Sequence, residues 1–435
     1  MSLAPRYRGQ LAELSREARA ELVERARAEA DPAIEERVRG ILARVRRERD
    51  AALLALTKEL DRVDAPAIVV PREACERALS ALDPAVRRGL EHATENLERV
   101  HRAFLPQAVE VESEPGVVVG RRPDALAAVG VYAPGGRAAY PSSVLMGVVP
   151  ARVAGVRDVV VTSPPGPGGL PSPVVLAAAA ISGASRVLAL GGAQAIGALA
   201  YGTESVPKVD RIVGPGNAYV AEAKRQVAGV VGIDAPAGPS EILVIADREA
   251  DPARIAHELV AQAEHDPEAS CVALCEGEAL TARVLAELAR IEPERREIVE
   301  ASLSSRGAVL SIDDFAEAYA FAEAYAAEHL MLAVRDPEAA LAQVRHAGTV
   351  FLGEAASVAF GDYLTGANHV LPTAGAARSY SGLSTLDFIR WTTWQRVSPA
   401  AARAMERDVV ALAESEGLHA HAEAARSAAA LGRGS

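Results

Sequence analysis

Two short stretches of the sequence put proton carriers and metal-competent side chains where a plain core would have neither. In AQAEHDPEAS, residues 261–270, Gln262 and His265 fall about one helical turn apart at the end of an alanine-rich run, just before Asp266-Pro267. Asp251 is expected to cap this helix and Pro252 to open it, because Asp accepts an orphan amide hydrogen and Pro has none to lose. Ile255 and Leu259 then mark the buried face, and the next helical steps turn Gln262 and His265 inward together. In AEHLML, Glu328 stands directly before His329. A general base needs a pKa near neutrality, which His has and a buried Glu can acquire. Each stretch alone also fits a satisfied polar patch or a solvated helix end, so other residues must decide.

His265 and His329 are joined in polar company by His369 in GDYLTGANHVLPT and His421 in ESEGLHAHAEA. Zinc accepts imidazole nitrogen and carboxylate oxygen, which makes Asp362, His265 and His421 chemically competent ligands. No HExxH or paired CxxC motif adds support from spacing. Cys75, Cys271 and Cys275 are too few and too unevenly placed for a disulfide framework or a four-cysteine zinc site. Cys271 and Cys275 lie in SCVALCEG, whose apolar alternation reads as a strand with buried structural thiols.

The elements that must position these groups alternate. AAVGVYAP, VRDVVVTSPP, SRVLALGG and DRIVGPG read as strands, with helices in SSVLMGVVPARVAG, PSPVVLAAAAISG, AQAIGALAYGT and AYVAEAKRQVAG. Such spacing implies a parallel sheet covered on both faces. Its turns APGG, GGAQ and GPGN fall at the carboxyl ends of strands, where such sheets bind ligands. The fingerprint G-x-G-x-x-G is absent, since GPGNAY has Tyr219 where a third glycine would stand. A second alternating block follows: SEILVIAD, the 251–265 helix, SCVALCEG, LTARVLAELARI, then GAVLSID, HLMLAV and GTVFLG as further strands. Residues 9–105 read as helix after helix. Beyond about residue 380 come a turn-rich stretch and Ala-rich helices with too few large apolar residues for a core of their own.

At 435 residues the chain suggests two to four domains. Its net charge of -12, without basic blocks, argues against nucleic acid and against an anionic membrane surface. No run of about twenty apolar residues appears, and the charged start MSLAPRYRGQLAELSREARAE lacks the apolar centre of a signal peptide, so a soluble, cytoplasmic protein is expected.

Taken together, VGVYAPGGRAAYPSSVLM, GGAQAIGALAYGT, VDRIVGPGNAYVAEAK, GIDAPAGPSEILVIAD, LVAQAEHDPEAS, AEHL and GDYLTGANHVLPTAGAARSYSGLSTLDF closely resemble the histidinol dehydrogenase family, in family order and over nearly the whole chain. The resemblance implies a zinc ion held by Gln262, His265, Asp362 and His421, with His419 the competing tail ligand. It implies an acid/base pair at Glu328 and His329. Substrate contacts fall at Ser240, His369 and Glu416 as well as at His329 and the metal ligands, and NAD contacts at Tyr132, Gln194 and Asn217.

The expected activity is oxidation of L-histidinol through its aldehyde to L-histidine with two NAD. The alternative is a related dehydrogenase acting on another small alcohol such as a sulfonated diol, against which Glu416 and His369 speak because they suit a cationic amine and an imidazole. The expected architecture is α/β, with two Rossmann-like parallel-sheet domains, one inserted in the other. It comprises an N-terminal helical segment (1–24), a discontinuous domain (25–128 with 239–380), an inserted NAD-binding domain (129–238) and a C-terminal arm (381–435). The arm is expected to be exchanged between the protomers of a homodimer and to contribute to the partner's site.

Overall fold

The structure, a computed structural model, describes residues 3–25, 31–135, 139–235 and 238–431. Residues 26–30 of the first expected helical run, Gly136 of the APGG turn and residues 432–435 of the expected arm lie outside that set. The chain forms two compact units, residues 1–104 with 126–388 and residues 105–125 with 389–435.

The first unit holds two parallel sheets, as the alternating strands and helices predict. One runs Tyr7–Gln10, Gly307–Ile312, Ser270–Glu276, Glu241–Ala246, Ala327–Ala333, Ala347–Leu352. The other runs Arg186–Ala189, Asp158–Ser163, Ala128–Tyr132, Arg211–Val213, Gly232–Ile233. Leaving out Tyr7–Gln10, both follow the chain order 3-2-1-4-5 of a doubly wound sheet. Burial on two faces explains why these strands are continuous apolar runs. In the six-stranded sheet Ile242, Val244, Cys271, Ala273, Cys275 and Met331 face one layer with Ile255 and Leu259. Leu243, Ile245, Val272, Leu274, Leu330 and Leu332 face the other, with Phe321 and Tyr325. Cys271 and Cys275 are thus core residues, and burial pushes both thiols up to about 12.

Asp-Pro pairs start several helices. Asp31, Asp83, Asp251 and Asp336 each accept a hydrogen bond from an amide of the first turn, with Pro next in the chain. The helix Pro252–Ala263 begins this way, as its sequence predicts, with Asp251 accepting from Ala253 N–H at 2.9 Å. Gly214 permits a close approach of two strands: its φ is +109°, and a Cβ there would lie 2.1 Å from the carbonyl oxygen of Tyr132.

Two departures from the sequence reading have physical causes. The helical N-terminal stretch opens with the strand Tyr7–Gln10, too short to show alternation, and the following long run divides at Arg49, whose φ of 55° interrupts the helix between Pro32–Glu48 and Asp50–Leu56. The tail is not only turns and helices. In the second unit Ile389–Val397 pairs antiparallel with Val117–Ala125, which pairs with Val109–Glu114. These strands lack an apolar run because this sheet is largely exposed. Gly120 makes room for the Trp394 indole, 2.1 Å from where a Cβ would stand. Helices Pro399–Ser415 and His419–Ala430 complete the unit, and their fully buried residues are all alanines. Among the described residues no helix is long and apolar enough to cross a membrane.

Candidate active site

Glu328 and His329 occupy the amino end of Ala327–Ala333 and are both buried. Neighbours in a strand point to opposite faces. His329 shares the face of Met331, toward the helix that carries Gln262; Glu328 shares the face of Leu330, toward Tyr325. Glu241, first residue of the adjacent strand, ties the two together. Its N–H donates to Glu328 Oε2 at 2.7 Å, and its carbonyl oxygen lies 3.0 Å from His329 Nδ1. A carbonyl can only accept, so Nδ1 carries the ring proton and Nε2 is left with its lone pair.

That Nε2 lies 3.7 Å from Asp362 Oδ1. Burial drives the His329 pKa down to about 3, with smaller downward contributions from His265 and His369, so the ring is neutral at physiological pH. Burial likewise raises Glu328 well above the carboxylate range, reinforced by the charge of Glu241. A buried acid with a raised pKa and a neutral imidazole with an open lone pair are the components of proton transfer.

Asp362 lies in the last turn of the short helix Val358–Tyr363, and Glu258 Oε2 accepts the N–H of Val358 at 3.1 Å. Gln262 lies one turn beyond Glu258 on Pro252–Ala263, buried, its Nε2 without a hydrogen-bond partner among the described residues. Burial, then the charge of Glu258, raise Asp362 to about 7. His265, just past the helix end, is open to solvent on the residue as a whole, yet neighbouring atoms desolvate its ring and lower its pKa. His369 gives Nδ1–H to the carbonyl of Asp362 at 2.9 Å, which leaves Nε2 to accept from Ser143 Oγ at 3.4 Å. Burial lowers its pKa to about 4. Ser240 precedes the Glu241 strand, half-buried, its carbonyl accepting Ser270 N–H at 3.0 Å.

The first unit therefore brings Glu328, His329, Asp362 and His369 together, with His265 near enough to affect both other imidazoles electrostatically. Glu416, His419 and His421 belong to the second unit and are exposed. Among the described residues no three His, Cys, Asp or Glu side chains are placed to hold a metal. Of the four implied ligands, Gln262 is an amide and His421 lies in the other unit.

At the carboxyl ends of the five-stranded sheet lies a cavity of about 1020 Å³ lined by Tyr132, Gly192, Gln194, Asn217 and Asp61. Tyr132 Oη accepts Gly192 N–H at 3.1 Å, and burial raises its phenol to about 12. Asn217 caps Ala218–Val227 by accepting from Tyr219 and Val220 N–H. Gln194 Nε2 donates to Asp61 Oδ2 at 3.3 Å, while its buried Oε1 has no partner among the described residues. The GPGN turn rests on a buried ion pair: Lys224 Nζ bonds Asp234 Oδ1 and the carbonyl of Gly214, whose N–H donates to Asp234 Oδ2 at 2.7 Å.

The six-stranded sheet uses its ends differently. Its carboxyl-end crevice, about 520 Å³, is spanned by the pairs Arg248–Glu276 and Arg335–Glu249, and Glu328 and His329 stand at the amino end of Ala327–Ala333. Sequence reasoning passed over Glu241, Arg25, Ser143 and Asp61. Glu241 carried a signal, being the one charge at the head of the apolar strand EILVIA; the others become visible only through contacts between distant segments.

Residues 24–428 match the family model for histidinol dehydrogenase. Histidinol dehydrogenase from Methanosarcina mazei is 47% identical over 392 residues, 89% of this chain and 90% of that protein. The one from Chromobacterium violaceum is 48% identical over 400 residues, 91% of this chain and 92% of the other. The fold matches the crystal structure of histidinol dehydrogenase from Elizabethkingia anophelis with a TM-score of 0.93 at 32% identity, covering 98% of each chain. The chain belongs to the histidinol dehydrogenase family.

Proposed function

We propose that this chain, by its family an oxidoreductase of histidine biosynthesis, carries L-histidinol through a held aldehyde to L-histidine at one site, using two NAD in turn. The observation that carries this reading is the buried pair Glu328 and His329, with His329 facing Asp362, because a four-electron oxidation at one carbon needs repeated proton transfer away from solvent.

The donor set fits zinc. Gln262 offers a buried amide without a partner for its nitrogen, and an amide turned end for end would present oxygen there. His265 and Asp362 add an imidazole and a carboxylate, and His421 would supply the fourth group. The cavity at Tyr132, Gln194 and Asn217 fits a dinucleotide, with the unpaired Gln194 Oε1 ready to accept from it. When bound, zinc would anchor the substrate's amine and imidazole nitrogens as a Lewis acid, and NAD would accept hydride.

The chain's own residues do the rest. His329 Nε2 takes the hydroxyl proton in the first oxidation. Glu328 takes a proton from the water that adds to the aldehyde, and its raised pKa makes it the stronger base once ionised. His329, having released its first proton, serves again in the second oxidation. Ser240, His369 and Glu416 orient the substrate, with Ser143 fixing the His369 ring.

The division into segment 1–24, discontinuous domain 25–128 with 239–380, inserted domain 129–238 and arm 381–435 forms part of the same proposal. So do a cytoplasmic location and a homodimer in which each arm brings Glu416 and His421 to the partner's site. Exposed Leu412, Leu418 and Leu431 in that arm favour a covering surface. The test is NADH formation from histidinol by protein shown metal-free by elemental analysis. Activity should vanish and return with zinc; full metal-free activity would remove the metal from the reading.

A further inference from the structure

The two acid/base residues share one neighbour. Glu241 holds Glu328 through its N–H and His329 through its carbonyl, so the placement of both depends on where its main chain is fixed. Its side chain is buried and surrounded by donors. Oε1 accepts Arg25 Nε at 2.7 Å and the N–H of Ala374 at 2.8 Å, and Oε2 faces the N–H of Glu328 at 3.4 Å. Arg25 is itself fixed: Nη2 donates to the carbonyl of Tyr325 at 2.7 Å, and the guanidinium lies 3.5 Å from the centroid of the Tyr325 ring. The Arg25 and Glu241 side chains are 2% and 4% exposed, so neither is held by solvent.

Three donors around one carboxyl group require both its oxygens as acceptors. The ionised form meets all three with no hydrogen of its own to place among these donors. Burial pushes the Glu241 carboxyl up, and Arg25 with the backbone donors opposes that shift. A glutamine would have to aim its NH₂ at Arg25, Ala374 N–H or Glu328 N–H.

We propose that Glu241, clamped by Arg25, is the positioning residue for the acid/base pair, fixing the amino ends of Glu241–Ala246 and Ala327–Ala333 so that Glu328 and His329 keep their working places. It does not touch the reacting atoms. The proposal rests on reading Glu328 and His329 as the acid/base pair. It adds that Arg25, 216 residues from its partner in sequence, is part of the catalytic framework.

The experiment measures the two half-reactions separately, from histidinol and from the aldehyde, in Glu241→Gln, Arg25→Lys, Glu328→Gln and His329→Ala. Displacement of a catalytic group by about 1 Å can cost about a hundredfold. Glu241→Gln should therefore lower kcat roughly tenfold to a hundredfold in both half-reactions alike, with KM for histidinol and NAD within about twofold of wild type. Arg25→Lys, which keeps the charge but loses the fork, should retain part of the activity in the same pattern. Loss of melting temperature with wild-type kcat in folded Glu241→Gln would mean a merely structural role and overturn the proposal. If Glu241→Gln does not fold, Arg25→Lys decides: reduced kcat at unchanged KM supports the proposal, wild-type kcat overturns it. Wild-type turnover in Glu328→Gln and His329→Ala would instead sink the underlying acid/base reading, and the proposal with it.

Discussion

His329 Nε2 stands 3.7 Å from Asp362 Oδ1, beyond hydrogen-bond length, and has no other partner among the described residues. The lone pair of a buried, neutral imidazole is thus left open on the side of the proposed metal ligands, where a substrate hydroxyl would need it. Glu328 lies on the other strand face, its Oε2 3.5 Å from the opposite ring nitrogen, His329 Nδ1.

Their division of labour is testable. His329→Ala should impair both oxidation steps, each by roughly 10²–10⁴-fold, the usual worth of a positioned acid or base. Glu328→Gln should strike the aldehyde-to-acid step by a similar factor and leave the alcohol step within about tenfold, because water is activated only in the second. Stopped-flow NADH formation from each substrate separates the two; equal losses in the glutamine variant would show that the roles are wrongly divided.

The Lys224–Asp234 pair should matter to the dinucleotide cavity. Both side chains are under a tenth exposed, and both hold Gly214, at the head of the turn that leads to Asn217. Lys224→Met leaves Asp234 buried without its cation, a loss of about 3–5 kcal/mol in comparable pairs. Lower melting temperature and weaker NAD binding by calorimetry are expected, with the double variant Lys224→Met, Asp234→Leu recovering stability better than binding. Unchanged NAD affinity in folded Lys224→Met would refute the link to the turn.

The longer strands of both parallel sheets were legible because burial on two faces turns them into apolar runs such as EILVIA, whereas Tyr7–Gln10 and Gly232–Ile233 are too short for that signature, and the start of Pro252–Ala263 was legible from Asp251-Pro252. The doublet Glu328-His329 was legible as chemistry. Its setting was not: strand Glu241–Ala246 borders Ala327–Ala333 only because the chain order reverses across the sheet, and no local pattern encodes that choice. The glycine turns pointed to carboxyl ends, which suits the Tyr132 cavity, whereas Glu328 and His329 stand at amino ends. Ile389–Val397 escaped notice because an exposed strand has no apolar signature to betray it.

His101 gives the fold a liability in acid. It is 1% exposed on Pro84–Ala103, neither ring nitrogen has a hydrogen-bond partner among the described residues, and burial lowers its pKa to about 4. Between the ordinary His value near 6.5 and about 4, the unfolded chain takes up a proton that the folded chain refuses. Stability therefore falls as pH drops through that window and is untouched above it, the loss being on the order of 2 kcal/mol at pH 5. His101→Leu should narrow the difference in melting temperature between pH 7.5 and pH 5. A difference as wide as in wild type would place the acid sensitivity elsewhere.

The proposed exchange of arms makes the sharpest prediction about assembly. In the second unit the fully buried residues of the two helices are alanines, while Leu412 and Leu431 are each 67% exposed, so these helices bury little of their own apolar surface. If each arm carries Glu416 and His421 to the partner's site, Asp362→Ala and His421→Ala damage sites contributed by different chains. Each variant alone should be inactive. Unfolded, mixed in equal amounts and refolded, they should form mixed dimers in about half of cases, each with one site bearing both lesions and one bearing neither. Activity should then return to about a quarter of the wild-type value. If every site is built within a single chain, each keeps one lesion and the refolded mixture stays as inactive as its components, which would refute the exchange while leaving Gln262, His265, Asp362 and His421 as ligands to be tested one by one.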